Sequence, residues 1–283
     1  MLDFYVTKAD GTSEVFREEK LINSLVNAGA EEKLAKQIVS EVVEGAVSGV
    51  TTSEIYKTAF RELRRESRPT AARYSLRRAL FDLGPTGFPF EDFVGALYKK
   101  MGYKTKLRQV VPGKCINHEL DVVASNDEEC IAVEVKFHNS IGFKTNVRTA
   151  LYVHARMNDI FEKRAEDPSS CPVNKGLLIT NTKFTKNAVE YAECVGLDII
   201  GWSYPEKNSL LDLIMKYEVF PITTLTTLSR SQKQSLIQKG IILCEDLEKN
   251  KEAVLSLGLS KDHIKEVLQE AVHLGKMPYK EQK

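Results

Sequence analysis

The sequence predicts an α/β multidomain protein: a mostly helical N-terminal module with a β-hairpin, a central α/β module and a small helical C-terminal module. Three observations predict this. The 283 residues exceed the usual size of one domain. Residues 84–89, Gly-Pro-Thr-Gly-Phe-Pro, form a dense cluster of structure breakers. Beyond that cluster, the helical spacing of apolar residues gives way to strand-like segments. The hydrophobic fraction of 42% is sufficient for several cores.

The N-terminal module begins with two short apolar segments separated by a turn. Residues 3–7 and 14–16 have strand character, and the Ala-Asp-Gly-Thr turn at 9–12 between them predicts a hairpin. From residue 17 to about residue 83, apolar residues recur at helical spacing. We therefore expect a small helical bundle beside the hairpin.

The central module alternates helices and strands. The pattern predicts helices over 90–100, 149–163 and 185–194, and strands over 106–111, 119–124, 130–137, 176–180 and 197–202. Such alternation favours a mixed or parallel sheet with helices on its faces. From about residue 210 the chain is helical again, with breaks at Gly240 and Gly258.

Composition excludes several classes of protein. A net charge of +1 means that nucleic acid would be contacted only through local clusters of Lys and Arg, such as those within 61–78 and 99–114. A solvated face is the commoner meaning of such clusters. The five scattered cysteines indicate neither a disulfide framework nor a zinc site. Without a signal or membrane segment, we expect a cytoplasmic protein that has no membrane partner.

Three side chains on two predicted strands suggest phosphodiester hydrolysis. Alternation places Glu134 and Lys136 on one face of their strand, opposite apolar residues. Asp121 interrupts an apolar strand, where a buried carboxylate costs free energy unless a cation compensates it. A divalent cation would also activate water for attack on phosphate. Such spacing also occurs by chance on half-exposed sheets, and Glu119 is a lesser candidate ligand.

Several segments between residues 88 and 204 resemble the Mrr-type branch of the restriction-endonuclease-like superfamily, the PD-(D/E)xK nucleases. They include Phe-Pro-Phe-Glu-Asp-Phe-Val at 88–94, His-Glu-Leu-Asp-Val-Val-Ala at 118–124, Val-Glu-Val-Lys at 133–136 and Lys-Gly-Leu-Leu-Ile-Thr at 175–180. The resemblance implies an α/β/α sandwich in which Asp121 and Glu134 bind Mg²⁺ or Mn²⁺ and Lys136 orients or activates water. It also implies a catalytic role for Glu91, and double-stranded DNA as the substrate.

Two departures from the Mrr pattern leave the choice of substrate open. Glu119 and Leu120 stand where that family often has a glycine-isoleucine pair, and His138 lies just past the lysine.

A second resemblance covers about residues 3–85. Val-Thr-Lys-Ala-Asp-Gly at 6–11, Lys-Leu at 20–21 and Thr-Thr-Ser-Glu-Ile at 51–55 are similar to the ATP-cone domain, a regulatory nucleotide-binding module. It implies that ATP or dATP binds as an effector at these positions: Val6, Lys8, Gly11, Lys20 and Thr52. Ala9 replaces the family's usual Arg, which removes one charge-assisted contact. The absence of a P-loop sequence argues against hydrolysis, and a structural or oligomerising cone is the alternative.

The expected domain limits are 1–86, 87–208 and 209–283. In the last of these, Leu-Thr-Thr-Leu at 225–228 and Gly-Ile at 240–241 resemble a degenerate helix-hairpin-helix, whose amides would contact DNA phosphate, while plain helical packing is the alternative. We expect a homo-oligomeric, metal-dependent DNA endonuclease regulated by a nucleotide. The rival interpretations are a nucleotide-sensing DNA-binding regulator without cleavage and a scaffold.

Overall fold

The computed structural model describes residues 4–46, 49–169 and 171–274, so Asp3, the first residue of the predicted N-terminal strand, lies outside the described residues. The chain forms two compact units. One unit combines Met1–Leu80 with Ile222–Lys283, and the other is Phe81–Pro221. Over the described residues, none of the helices is both long enough and apolar enough to pass through a bilayer. The predicted multidomain α/β architecture is confirmed.

The N-terminal part of the first unit is a hairpin followed by helices. Strands β1 (Tyr5–Thr7) and β2 (Ser13–Val15) pair antiparallel, and Gly11 in their turn has a φ of +81°, which glycine adopts without strain. The helices are α1 (Glu18–Asn27), α2 (Glu32–Glu44), α3 (Thr52–Glu66), α4 (Arg68–Tyr74) and α5 (Leu76–Phe81). Buried residues of β1 and α1 to α4, such as Leu25, Ile38 and Leu63, form one core.

The helix α3 begins at a capping box. The hydroxyl of Thr51 accepts a hydrogen bond from the backbone N–H of Glu54 at 3.2 Å, and the Glu54 carboxylate accepts one from the backbone N–H of Thr51 at 2.8 Å. Two N–H groups that a helix start leaves unpaired are thereby satisfied. This cap positions Thr52, the first residue of α3.

The C-terminal part of the first unit consists of a 3-10 turn, Ile222–Thr224, and the helices α10 (Arg230–Gln238), α11 (Asp246–Lys249), α12 (Lys251–Leu255) and α13 (Lys261–Leu274). Glu270 of α13 is only 5% exposed. Its carboxylate accepts hydrogen bonds from the N–H and the hydroxyl of both Thr226 and Thr227, at 2.7 to 2.9 Å. The buried charge is therefore compensated by four donors, which fix the segment before α10 against α13.

Arginines of the 61–78 stretch hold the two parts of this unit together. Arg64 donates a hydrogen bond to the carbonyl of Thr226 at 3.2 Å. Arg73 is 4% exposed and donates one to the carbonyl of Leu274 at 3.0 Å. Arg73 of the predicted basic cluster is therefore used for packing within the unit, whereas Arg64 remains exposed.

The second unit is built on a mixed sheet. Its elements are α6 (Phe88–Lys100), β3 (Lys104–Pro112), β4 (Asn117–Ser125), β5 (Cys130–Lys136), β6 (Lys144–Thr145), α7 (Val147–Glu166), β7 (Lys175–Thr180), β8 (Lys183–Phe184), α8 (Lys186–Val195), β9 (Asp198–Ile200) and α9 (Leu210–Lys216). In the described residues, one sheet has the strand order β3-β4-β5-β7-β9, with β3, β4 and β5 antiparallel and β5, β7 and β9 parallel.

Helices cover both faces of this sheet. On one face, Val153 and Met157 of α7 share a core with Ala132 of β5. On the other face, the ring of Phe137, just after β5, lies 5.6 Å from that of Phe90 in α6. Because β5 is central and covered on both sides, its sequence is apolar until it approaches the end that bears the candidate site.

Candidate active site

The two predicted acids lie on neighbouring strands where the strands separate. The ladder between β4 and β5 ends at the pair of Val122 and Val133, and Asp121 and Glu134 are the next residues on each strand. The Asp121 Oδ2 accepts a hydrogen bond from the N–H of Val135 at 2.7 Å. This carboxylate oxygen thus takes the position of the main-chain carbonyl that would accept this N–H if the β4–β5 ladder continued. The structure thus brings the two carboxylates close enough to interact near the end of β5.

The electrostatics of this pair favour a cation. Burial, and then the charge of Asp121, raise the pKa of Glu134 from 4.5 to about 7. Burial also raises the pKa of Asp121, although the hydrogen bond from Val135 opposes the shift. Two acids that are withdrawn from water and repel each other hold their negative charge at a cost. A positive charge bound between them would remove that cost.

Arg156 of α7 supplies a positive charge at this place. Its Nη1 donates a hydrogen bond to Oε2 of Glu134, and its Nη2 donates one to the main-chain carbonyl of Glu119. The same guanidinium lies 5.3 Å from the centre of the Tyr152 ring, one helical turn earlier. Because the ion pair is mostly buried, the loss of either partner would leave an uncompensated charge.

Glu91 lies in the first turn of α6 and is held by a second arginine. Arg108 of β3 donates hydrogen bonds to Glu91 at 3.0 Å and to Asp92 at 2.8 Å. Burial, the largest cause, and the charge of Asp121 raise the pKa of Glu91, although the bond from Arg108 opposes them. Arg108 has a φ of +51°, a left-handed conformation that costs a bulky residue about 1 to 2 kcal/mol. It occupies the unpaired position opposite Asp121 in the β3–β4 register.

Lys136 ends β5 on the same side as Glu134, and its side chain is exposed. The chain beyond it is fixed by Asn181, which is fully buried. Asn181 accepts a hydrogen bond from the N–H of His138 and donates one to its carbonyl, both at 2.9 Å. The His138 ring also lies 3.0 Å from the hydroxyl of buried Thr145. A rigid polar cluster therefore anchors the segment that follows the lysine.

The donor set suits a cation that keeps much of its water. Within residues 4–46, 49–169 and 171–274, no three His, Cys, Asp or Glu side chains are grouped as a metal centre would require. Asp121 and Glu134 offer two carboxylates, with Glu91 electrostatically linked to the former. Mg²⁺ is commonly bound through one or two carboxylates and several waters, and Mn²⁺ also prefers oxygen ligands. The residues present fit such an ion.

In the cone, the two predicted phosphate-binding lysines converge on one carboxylate. The ammonium of Lys8 lies 2.7 Å from Glu14, and that of Lys20 lies 3.4 Å from the same side chain. The hydrogen bond from Lys8 is the largest cause of the lowered pKa of Glu14. All three side chains are accessible, so a triphosphate would have to compete with Glu14 for the lysines.

The other predicted nucleotide contacts surround the hairpin. Val6 is buried in β1, and Gly11 lies in the exposed turn. A parallel bridge between Thr7 and Thr51, and a hydrogen bond from the N–H of Thr7 to the carbonyl of Val50 at 3.0 Å, bring the start of α3 to the hairpin. The exposed first residue of α3, Thr52, consequently lies on the side of the unit that carries β1.

Two residues of the site were missing from the predicted set of site residues. Val153, three positions before Arg156, and Met157, directly after it, are both in the core. Helical spacing therefore places Arg156 near the side of α7 that faces the sheet. Nothing in that spacing identifies Glu134 as the partner of Arg156. Arg108 was expected only as a member of the basic cluster within 99–114, because its left-handed backbone and its bonds to Glu91 and Asp92 are visible only in the structure.

Comparison with known families assigns three segments of the chain. Residues 4–82 match the ATP cone domain, residues 85–203 match a restriction endonuclease domain of the Mrr type, and residues 220–274 match the family described as AF1548-like, C-terminal. The protein is therefore a fusion of an ATP cone with a restriction-endonuclease-like domain and an AF1548-like C-terminal domain.

The chain is similar to a protein known from its sequence and to a solved structure. An uncharacterized protein of Archaeoglobus fulgidus is 35% identical over 176 residues, which are 62% of this chain and 95% of the relative, and the chain belongs to the family of that protein. The crystal structure of the protein of unknown function AF1548 matches with a TM-score of 0.53 and 32% identity, over 67% of this chain and 98% of that one.

Proposed function

We propose that this protein is a divalent-metal-dependent DNA endonuclease whose activity responds to ATP or dATP bound at the cone. The observation that carries the proposal is the proximity of Asp121 and Glu134 where β4 and β5 separate, with Lys136 two residues further along β5. The match of residues 85–203 to a restriction endonuclease domain supports it. Burial and mutual repulsion of the two carboxylates are better explained by a cation site than by a structural role.

Each residue has a separate task in the proposed reaction. Asp121 and Glu134 hold Mg²⁺ or Mn²⁺, which when bound offsets charge on the scissile phosphate and lowers the pKa of water. The ammonium of Lys136 lies on the same side as Glu134 and donates hydrogen bonds to the attacking water or to a phosphate oxygen. Glu91 adds negative potential beside Asp121 and positions Arg108.

Arg156 holds Glu134 while no metal is bound. The guanidinium keeps the carboxylate in place and lowers its pKa against the effect of burial. A metal ion and Arg156 would bind the same carboxylate, so the two compete for it. Once released, the planar guanidinium is suited to bind a phosphate with two parallel hydrogen bonds.

A plasmid-nicking assay with Mg²⁺ or Mn²⁺ tests cleavage. Wild type should nick, and Glu134→Gln should lower the rate by about 100-fold or more, because it removes an anionic ligand while it keeps the shape of the side chain. Glu128→Gln is the matched control. Glu128 lies in the exposed turn before β5, at the opposite end of that strand from Glu134. Equal nicking by wild type and Glu134→Gln, or no nicking by wild type with any DNA form and either metal, would refute the proposal.

Binding of a fluorescent ATP analogue tests the cone. Lys8→Met and Lys20→Met should each weaken binding by roughly tenfold, because each removes a charge-assisted contact to phosphate. Lys36→Met is the control, since Lys36 lies on the surface of α2, where it pairs with Glu32. If ATP binds equally to all three variants, the assignment of the lysines is wrong. If saturating ATP or dATP leaves the nicking rate of wild type unchanged, the regulatory part of the proposal fails.

A further inference from the structure

Two exposed aromatic rings accompany the arginines of the candidate active site. Tyr152 is 59% exposed, and the Arg156 guanidinium lies 5.3 Å from its ring centre. Phe88 is 57% exposed, and the guanidinium of Arg108 lies 5.7 Å from its ring centre. Each arginine also binds an acid of the site: Arg156 binds Glu134 and Arg108 binds Glu91. The rings are therefore neighbours of the acidic residues and are open to solvent.

Tyr152 belongs to an alternating basic and aromatic line along α7. Arg148, Tyr152 and Arg156 are spaced by four residues, so they lie on one side of the helix in successive turns. Arg148 and Tyr152 are exposed, and the line ends at the ion pair of Arg156 with Glu134. A nucleic-acid strand bound along this line would contact Arg148, the Tyr152 ring and Arg156 before it reaches the acidic residues of the site.

A third exposed ring stacks on His138, which follows Lys136 by two residues. Phe143 is 54% exposed and stacks on the ring of His138, with 4.7 Å between the ring centres. His138 is two residues past Lys136, and Lys144, next to Phe143, is exposed. Basic residues and accessible rings are thus interleaved around Lys136 as well as around the acids.

This interleaving fits a nucleic-acid strand with accessible bases. Rings exposed to this degree contribute little to a core, but an aromatic face stacks on any base whose own face is open. In an intact duplex the base faces are covered by neighbouring pairs, and only base edges are presented in the grooves. The arginines supply matching contacts to phosphate. We propose that the site binds DNA whose bases are unpaired beside the scissile phosphate, and so prefers single-stranded or locally open DNA to intact duplex.

This inference rests on the proposed nuclease function for the cleavage step alone, because binding is measurable without cleavage. Fluorescence anisotropy in EDTA would compare three oligonucleotides of the same sequence: a single strand, a full duplex, and a duplex with five unpaired nucleotides at its centre. The open forms should bind at least tenfold more tightly than the duplex. A 2-aminopurine placed in the unpaired segment should lose fluorescence on binding as it stacks.

Variants connect the preference to the rings. Tyr152→Leu and Phe88→Leu should each weaken binding of the open forms by roughly 5-fold to 100-fold, the range expected for the loss of base stacking, and should leave duplex binding unchanged. Tyr152→Phe keeps a ring and should behave as wild type. Ile116→Ala changes a side chain that is 63% exposed in the β3–β4 turn and should have no effect. Intrinsic Trp202 fluorescence verifies that each variant is folded.

Equal affinity of wild type for all three oligonucleotides would overturn the inference, as would Leu variants that retain the preference for open DNA. The two proposals fail separately. Selective binding of open DNA without cleavage in Mg²⁺ or Mn²⁺ would leave this inference standing and refute the nuclease function. Nicking that depends on Glu134, with no preference for open DNA, would support the nuclease function and refute this inference.

Discussion

The raised pKa of Glu134 makes the stability of the metal-free protein depend on pH. Folding places this carboxyl in a buried site beside Asp121, and its pKa rises from 4.5 to about 7. The folded state therefore binds a proton more tightly than the unfolded state does. The resulting stabilisation is fully present below pH 4.5 and is lost as the pH rises through about 7. Glu134→Gln mimics the protonated acid at every pH and should remove this loss.

The magnitude follows from the two pKa values. The shift from 4.5 to about 7 is equivalent to about 3 kcal/mol of unfolding free energy, since one pKa unit corresponds to about 1.4 kcal/mol. Between about pH 5 and pH 8, roughly 2.5 kcal/mol of that amount should disappear from the wild type. The stability of Glu134→Gln relative to wild type should therefore rise by roughly 2.5 kcal/mol over this range. Any pH-independent effect of the substitution on Arg156 cancels in the comparison.

Urea unfolding in EDTA, followed by the fluorescence of Trp202, measures this difference. The chain has a single Trp, which lies in the second compact unit, so the signal reports the unit that contains Glu134. Glu128→Gln is the control and should track the wild type at both pH values. A difference between Glu134→Gln and wild type that stays constant with pH, or shrinks as the pH rises, would refute the assignment of a raised pKa to Glu134.

Three further predictions concern packing and metal binding. Gly84→Ala would place a Cβ 2.4 Å from the ring of Phe137, so the ring must shift and nicking should fall severalfold without loss of folding by circular dichroism. Glu270→Ala should destabilise the unit that contains the cone by about 2 kcal/mol or more, measured by thermal unfolding, because it leaves four part-buried donors of Thr226 and Thr227 without their acceptor. Arg156→Gln should tighten Mn²⁺ binding at about pH 8, measured by calorimetry, because it removes the cation that competes for Glu134. Gly84→Ala with unchanged nicking, Glu270→Ala with unchanged stability, or Arg156→Gln with unchanged Mn²⁺ affinity would contradict the corresponding prediction.

Local pattern was sufficient to find the strands that carry the proposed acids. Strand β4 was expected over 119–124 and spans Asn117–Ser125, and β5 was expected over 130–137 and spans Cys130–Lys136. Alternation of apolar and polar residues is a property of neighbouring positions, so it is visible in the sequence. The prediction that Glu134 and Lys136 share a side, opposite Phe137, follows from the same alternation and agrees with the packing of Phe137 on α6.

Contacts between distant parts of the chain were beyond the reach of this reasoning. The pairing of Arg156 with Glu134 joins residues 22 positions apart and depends on how α7 crosses the sheet. The bonds from Arg64 and Arg73 to the C-terminal helices span 162 and 201 positions. A run of arginines looks the same in sequence whether it faces solvent or a carbonyl group. Only tertiary structure distinguishes the two cases.

The discontinuous unit has a consequence for the order in which the protein matures. The hydroxyl of Thr223 bonds to the carbonyl of Ala79 at 2.7 Å, yet roughly 140 residues of Phe81–Pro221 are translated between these two positions. At about 5 to 20 residues per second, a ribosome needs about 7 to 30 s to cross that interval. The nuclease-like segment is therefore fully synthesised while the nascent cone still lacks its C-terminal helices. A chain truncated before Ile222 would therefore contain the nuclease-like segment but lack part of the unit that contains the cone.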